Sequence, residues 1–139
     1  MPDNANVILT RCEVVRGSTI CCMARVVDTE SSAYITQANV STVTYTITLL
    51  DEDYPDDPNN DSAVSGHSAV ALTKTACVYD TLQTGAPWTK DSTGFNFKHV
   101  IDVSTNPAFA IAGRSYRVQV TITPVSGQRI DIPFKAEVI

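Results

Sequence analysis

Two histidines, four cysteines and a run of acids are the residues of this chain that could do chemistry. His67 lies in Gly66-His67-Ser68-Ala69-Val70, close to the G-x-S-x-G turn that presents a nucleophilic serine. The fifth residue is Val70 instead of glycine, and the segment follows a loop, not a strand feeding a helix. His99 falls on the apolar face of an alternating run, where a core histidine with satisfied hydrogen bonds is expected. A Ser/His/Asp hydrolase needs an orienting framework that this pattern lacks. P-loop and dinucleotide-binding glycine patterns are absent. Catalytic residues are not expected, and neither is a cofactor.

The cysteines are Cys12, Cys21, Cys22 and Cys77. Cys21 and Cys22 are adjacent, so on a strand they point to opposite faces and cannot both serve one tetrahedral metal. Bridges between Cys12 and Cys21 or Cys22, or between Cys22 and Cys77, remain geometrically open. With no secretion signal, buried thiols are the favoured state.

The acids concentrate in "DEDYPDDPNND", residues 51–61. Asp57-x-Asn59-x-Asp61 resembles the first half of a calcium loop, but Ser62 stands where the sharp turn needs glycine and Ser68 where the last ligand should be glutamate. A looser site built from Asp51, Asp53, Asp56 and Asp57 stays open; a solvated connector, acidic loop 51–63, is the favoured reading. Two loop aromatics are candidate partner contacts, Tyr54 and Trp88. Core capping is the alternative role for Trp88, which lies in the long connector 80–94.

The elements that position these residues read as strands. In "VTYTITL", Val43, Tyr45, Ile47 and Leu49 share one face and Thr44, Thr46 and Thr48 the other. "YRVQVTI" and "RIDIPFKAEV" alternate as cleanly, and "FNFKHVIDV" places Phe95, Phe97, His99, Ile101 and Val103 together. "TICCMARVV", "VILTRCEVV" and "ACVYDTL" add three more runs, and a single helical turn fits residues 78–84 or 106–112. About seven short strands separated by Gly, Pro and Asn turns predict an all-β fold, a single antiparallel β-sandwich over residues 1–139. Tyr116 follows a Gly-containing corner, as in the tyrosine corner of immunoglobulin-like domains, although Val118 occupies the position of their second disulfide cysteine. Pro133 predicts an edge strand or a bulge.

A hydrophobic fraction of 43% suits one globular core. The formal charge of −5 and the lack of any basic run argue against nucleic-acid binding, and no apolar run is long enough for a membrane helix. The N-terminal "MPDNANVILT" lacks signal-peptide features, which points to synthesis in a cytoplasm.

Three segments carry a family resemblance: "VSGHSAVALT", "YDTLQTGAPWTKDSTGFNFKHVI" and "GRSYRVQVTITPVSGQ". Across residues 14–136, the spacing of DTLQT, Trp88, DSTGFNF and GRSYRV resembles that of small proteins encoded among the structural genes of tailed bacteriophages and prophages. The resemblance implies a non-enzymatic virion component, foremost a capsid decoration or cement protein. Such a protein would bind the major capsid protein on the virion surface and self-associate as a small symmetric oligomer. A neck, head–tail or tail-associated component is the alternative within that class, and an Ig-like module for a carbohydrate or cell-surface ligand the alternative outside it. The resemblance brings no catalytic residues, and the acidic loop and the Cys21–Cys22 pair have no match in that group. The thiol reading gives a first prediction: titration of denatured, non-reduced protein finds all four cysteines reactive, and a count of two would reveal a disulfide.

Overall fold

The computed structural model describes residues 7–9, 12–28, 33–53, 61–86 and 88–139. Its framework is three long strands: β4 (Val40–Leu49), β9 (Ser115–Pro124) and β10 (Ile130–Val138). β9 pairs antiparallel with both others, from Val43↔Ile122 to Leu49↔Tyr116 on one side and from Ile130↔Ile122 to Glu137↔Ser115 on the other. This register puts Val43, Tyr45, Ile47, Tyr116, Val118, Val120, Ile122, Ile130, Ile132 and Phe134 on one buried face. A slip of one residue would turn that whole set toward solvent, which is why two-residue alternation fixes the pairing.

Shorter strands complete the sheet. β5 (Ser62–Ala63) and β6 (Val70–Leu72) both pair with β4, and β2 (Cys12–Val14) runs parallel to β10 through Cys12↔Ala136 and Val14↔Val138. The second sheet has the order β1 (Val7–Leu9), β3 (Cys21–Val26), β8 (Phe95–Val100), β7 (Val78–Gln83). The fold is all-β, with two sheets whose inner faces share one apolar cluster. Across it, Phe97 stacks on Phe134 with ring centroids 6.4 Å apart.

The N-terminal run that reads as one irregular strand is two: β1 belongs to one sheet and β2 to the other. The parallel pairing of β2 departs from the all-antiparallel expectation. β2 is reached from the opposite sheet, not through a tight hairpin, so nothing forces it to reverse against β10. The helical turn falls at Lys74–Cys77, with a 3-10 turn at Gln37–Asn39, and not at 78–84 or 106–112. Residues 78–83 are β7, so the connector begins at residue 84; β5 likewise closes the acidic loop at residue 61. Pro133 pairs with Gln119, while β2 covers β10 only at Ala136–Val138. Among the described residues its missing N–H therefore faces an unpaired edge. Tyr116 is buried and packs edge-on against Phe109, 5.5 Å between centroids; its hydroxyl makes no hydrogen bond among the described residues, so it serves as a core aromatic.

β8 breaks the expected alternation. Phe97 faces the shared core, but Phe95 packs with Met23 and Trp88 in a separate cluster on the other face of the sheet. The residue between them supplies the cause. Asn96 is buried, and its side-chain amide takes the place of a backbone ladder: Oδ1 accepts from Val26 N–H at 2.7 Å, and Nδ2 donates to the carbonyls of Val26 (2.8 Å) and Ile35 (3.0 Å). A buried amide that leaves such groups unmet costs about 1–3 kcal/mol each. Asn96→Leu should therefore lower the unfolding free energy by about 2–4 kcal/mol in urea titration, with the slope unchanged. A loss under about 0.5 kcal/mol, the scatter of surface substitutions, would show that water replaces the amide.

Candidate functional site

His67 is held by both ring nitrogens. Nε2 lies 2.8 Å from the Asn106 carbonyl oxygen, which can only accept, so Nε2 carries the proton. Nδ1, 2.8 Å from the Tyr45 hydroxyl, then accepts from it. Gly66 makes this approach possible: its φ is +82°, and a Cβ there would sit 2.3 Å from Asn106 Cγ. The ring is buried and Ser68 is exposed. With its lone pair occupied by Tyr45, His67 has none left to activate Ser68, so the nucleophile-elbow pattern assembles no acyl-transfer pair. The imidazole instead staples the 64–69 segment and the 102–109 loop to β4.

His99 lies partly buried beside the same tyrosine, 5.5 Å from the Tyr45 ring, and burial pushes its pKa below the usual histidine value. It pairs across the ladder with Cys22. Burial also pushes the Tyr45 hydroxyl up, assisted by the Asp102 charge. Tyr45 and Asn106 are the partners that the sequence reading missed; neither sits in a motif.

Cys21, Cys22 and Cys77 are thiols, Cys22 and Cys77 both buried and not bridged to each other. Burial raises the Cys21 thiol, against the opposing pull of Lys98, and lifts Cys77 to about 11. Protonated thiols are poor nucleophiles and poor metal ligands. The Cys12 side chain lies outside the described residues.

The feet of the acidic loop rest on two arginines, Arg114 just before β9 and Arg117 within it. Asp61 Oδ2 is 2.7 Å from Arg117 Nη1, and the side chain is largely covered. Arg114 donates from Nη2 to the Leu50 carbonyl at 2.8 Å, while its Nε lies 3.1 Å from Glu52 Oε1, a charge contact without hydrogen-bond alignment. Asp51 Oδ1 accepts from Asp53 N–H at 2.8 Å, a local turn. Of the residues named for a looser calcium site, Asp51 and Asp53 are thus engaged in the turn, and Asp56 and Asp57 lie outside the described residues, as does Tyr54. Among the described residues, no three His, Cys, Asp or Glu side chains gather to hold a metal.

Trp88 takes the core-capping role. It is 6% exposed and packs on Phe95, 5.7 Å between centroids, in the cluster with Met23. In that place the ring presents little surface of its own. The connector is folded onto the outer face of the β3–β8–β7 sheet by one carboxylate. Asp91 Oδ1 accepts from Trp88 Nε1 (3.2 Å), Thr93 N–H (3.0 Å) and Gly94 N–H (3.1 Å). Both its oxygens also take Arg25 Nη1, at 2.9 and 2.8 Å. Asp-x-x-Gly is a turn signal, so Asp91 could have been found in the sequence; Arg25, 66 positions away, could not.

No protein-family model matches the chain, and no curated protein matches it. Among the described residues no helix is long and apolar enough to cross a membrane.

The Asp91 cluster has a defined pH response. The Gly94 N–H first, then Arg25, hold its carboxyl at about 2, below the usual 3.8. A depressed carboxyl stabilises the folded connector fully above its unfolded value, and that contribution is lost as pH falls through the folded one. The window is therefore pH 4 to 2. Trp88, the single tryptophan, reports it. Its emission should shift to the red across that window, and in Asp91→Asn it should be red-shifted already at pH 7 with the transition gone. Identical acid profiles would remove Asp91 as the fastening.

Proposed function

We propose that this chain is a non-enzymatic structural component of a tailed-bacteriophage virion, a capsid decoration protein that docks on the major capsid protein and braces the shell. The proposed scaffold is an immunoglobulin-like β-sandwich. In its support, the orders β1-β3-β8-β7 and β2-β10-β9-β4 follow the A-B-E-D and A′-G-F-C arrangement of such domains, with the first strand divided between the sheets. The segments that resemble phage structural proteins map onto β6, β7, β8 and β9 and the connector between them.

The observation that carries the reading is the commitment of the chemistry-bearing groups. Both nitrogens of His67, the Tyr45 hydroxyl, the Asn96 amide and the Asp91 carboxylate are all spent on holding loops to sheets. A part whose polar groups fasten its own surface loops suits work by contact. The mechanism is added interface: even about 800–1,200 Å² buried per subunit raises the barrier to opening a joint between capsomers, and copy number multiplies it. A chain of charge −5 gains nothing from packaged DNA, so its contacts are with protein. Self-association as a small symmetric oligomer on the capsid surface fits this role.

Particles made without the protein should assemble and package DNA, then release it at lower temperature or under milder osmotic shock than complete particles. Purified protein added back should restore resistance. Depleted particles that are as robust as complete ones but fail to attach tails would place the protein at the neck. Depleted particles that are robust and fully infectious would sink the structural role.

A further inference from the structure

Residues 84–94 join β7 to β8 as a loop whose ends meet. Gln83 pairs with Phe95 at its neck, and Gly94 lies so close that a Cβ there would sit 2.2 Å from the Gln83 carbonyl oxygen. Gly94 has a φ of +105° and Gly85, near the other end, +116°. Side chains rarely allow such a backbone, so each end of the loop turns at a glycine.

Between those turns the loop is held to itself. Trp88 N–H donates to Gly85 O at 2.8 Å, and Asp91 gathers Trp88, Thr93 and Gly94. Among the described residues, each hydrogen bond that ties the loop to the rest of the protein outside the strand ladder comes from one side chain. Arg25 Nη1 donates to both Asp91 oxygens and, at 3.2 Å, to Gly94 O. The apolar footing is as narrow. Trp88 covers Phe95 and Met23, a cluster separate from the core that the two sheets share. Lifting the loop therefore breaks one guanidinium latch and one ring contact, and leaves the shared core intact.

We propose that residues 84–94 are a lid, turning at Gly85 and Gly94 and latched by Arg25, that opens as a unit to bare Met23 and Phe95 while the two sheets stay folded. An element with so few buried contacts opens at a lower free energy than the whole domain. Its internal bonds carry its shape through the motion, and the apolar floor is exposed only while the latch is released.

Met23, 1% exposed beneath the lid, and Cys77, 2% exposed in the shared core, report the two kinds of opening. Native protein is treated with dilute hydrogen peroxide or with a thiol reagent at urea concentrations below the unfolding transition, and the modified peptides are quantified by mass spectrometry. Met23 sulfoxide should form at a rate that barely changes with urea, while Cys77 labelling climbs with the full unfolding slope. Arg25→Gln should speed Met23 oxidation roughly tenfold, the scale of a lost charge-assisted hydrogen bond, and leave Cys77 labelling unchanged. Gly94→Ala, which drives a Cβ into the Gln83 carbonyl, should act in the same direction; should that variant not fold, Arg25→Gln carries the test. Equal urea slopes for Met23 and Cys77 would show that the loop belongs to the core unit, and the lid falls. It falls equally if Arg25→Gln leaves the Met23 rate unchanged, or if Met23 in the wild-type protein reacts as fast as free methionine.

Discussion

Phe97 of one sheet lies over Phe134 of the other, and the molecule is arranged to keep the space between those two faces dry. The aliphatic residues of β4, β9 and β10 form one wall, and Cys22, Ala24, Val26 and Phe97 the other. Truncating a ring at such a position to alanine costs about 3–5 kcal/mol, a large part of the 5–15 kcal/mol that separates a typical domain from its unfolded chain. The loops are set by the need to close the rim of that space. Ile35, Ile101 and Phe109, all outside the strands, are buried in it.

Closing the rim brings polar groups inside, and each has to find a partner. His67 and Asn96 illustrate two solutions. His67 bridges a tyrosine hydroxyl and a loop carbonyl, so one ring fastens two loops. Asn96 inserts a side-chain amide where the ladder would run, and thereby rotates Phe95 out of the core to face Trp88. The connector that would otherwise be solvent-borne thus gains an apolar footing of its own, separate from the main core. Local geometry at one asparagine decides which face of the sheet carries a second hydrophobic cluster.

The alternation in β4, β9 and β10 was legible because each is long, two-sided and β-branched, so a period of two appears with little interference. β8 was legible only in part: Phe95 and Phe97 are two apart, and nothing local signals that Asn96 displaces the pleat between them. The division of residues 7–14 between two sheets was invisible, since three-residue strands carry no period. For the same reason β5 was read as part of the acidic loop and β6 was not picked out as a strand. The roles of His67 and Arg114 depend on Asn106 and Glu52, contacts made by the folded backbone across dozens of residues. The composition of the acidic stretch was plain; that its feet stand on Arg114 and Arg117 follows from β9 lying beside β4, which only the pairing reveals.

The parallel alignment of β2 with β10 has a mechanical meaning. Cys12 lies opposite Ala136 and Val14 opposite Val138, so the two strands run the same way at the junction. A tension that draws residue 12 backward and residue 138 forward pulls along both strands in opposite senses. The bonds between them are then loaded in shear and must yield together, whereas a hairpin pulled at its open end unzips one rung at a time. The joint between β2 and β10 is therefore oriented to resist stretching along its length.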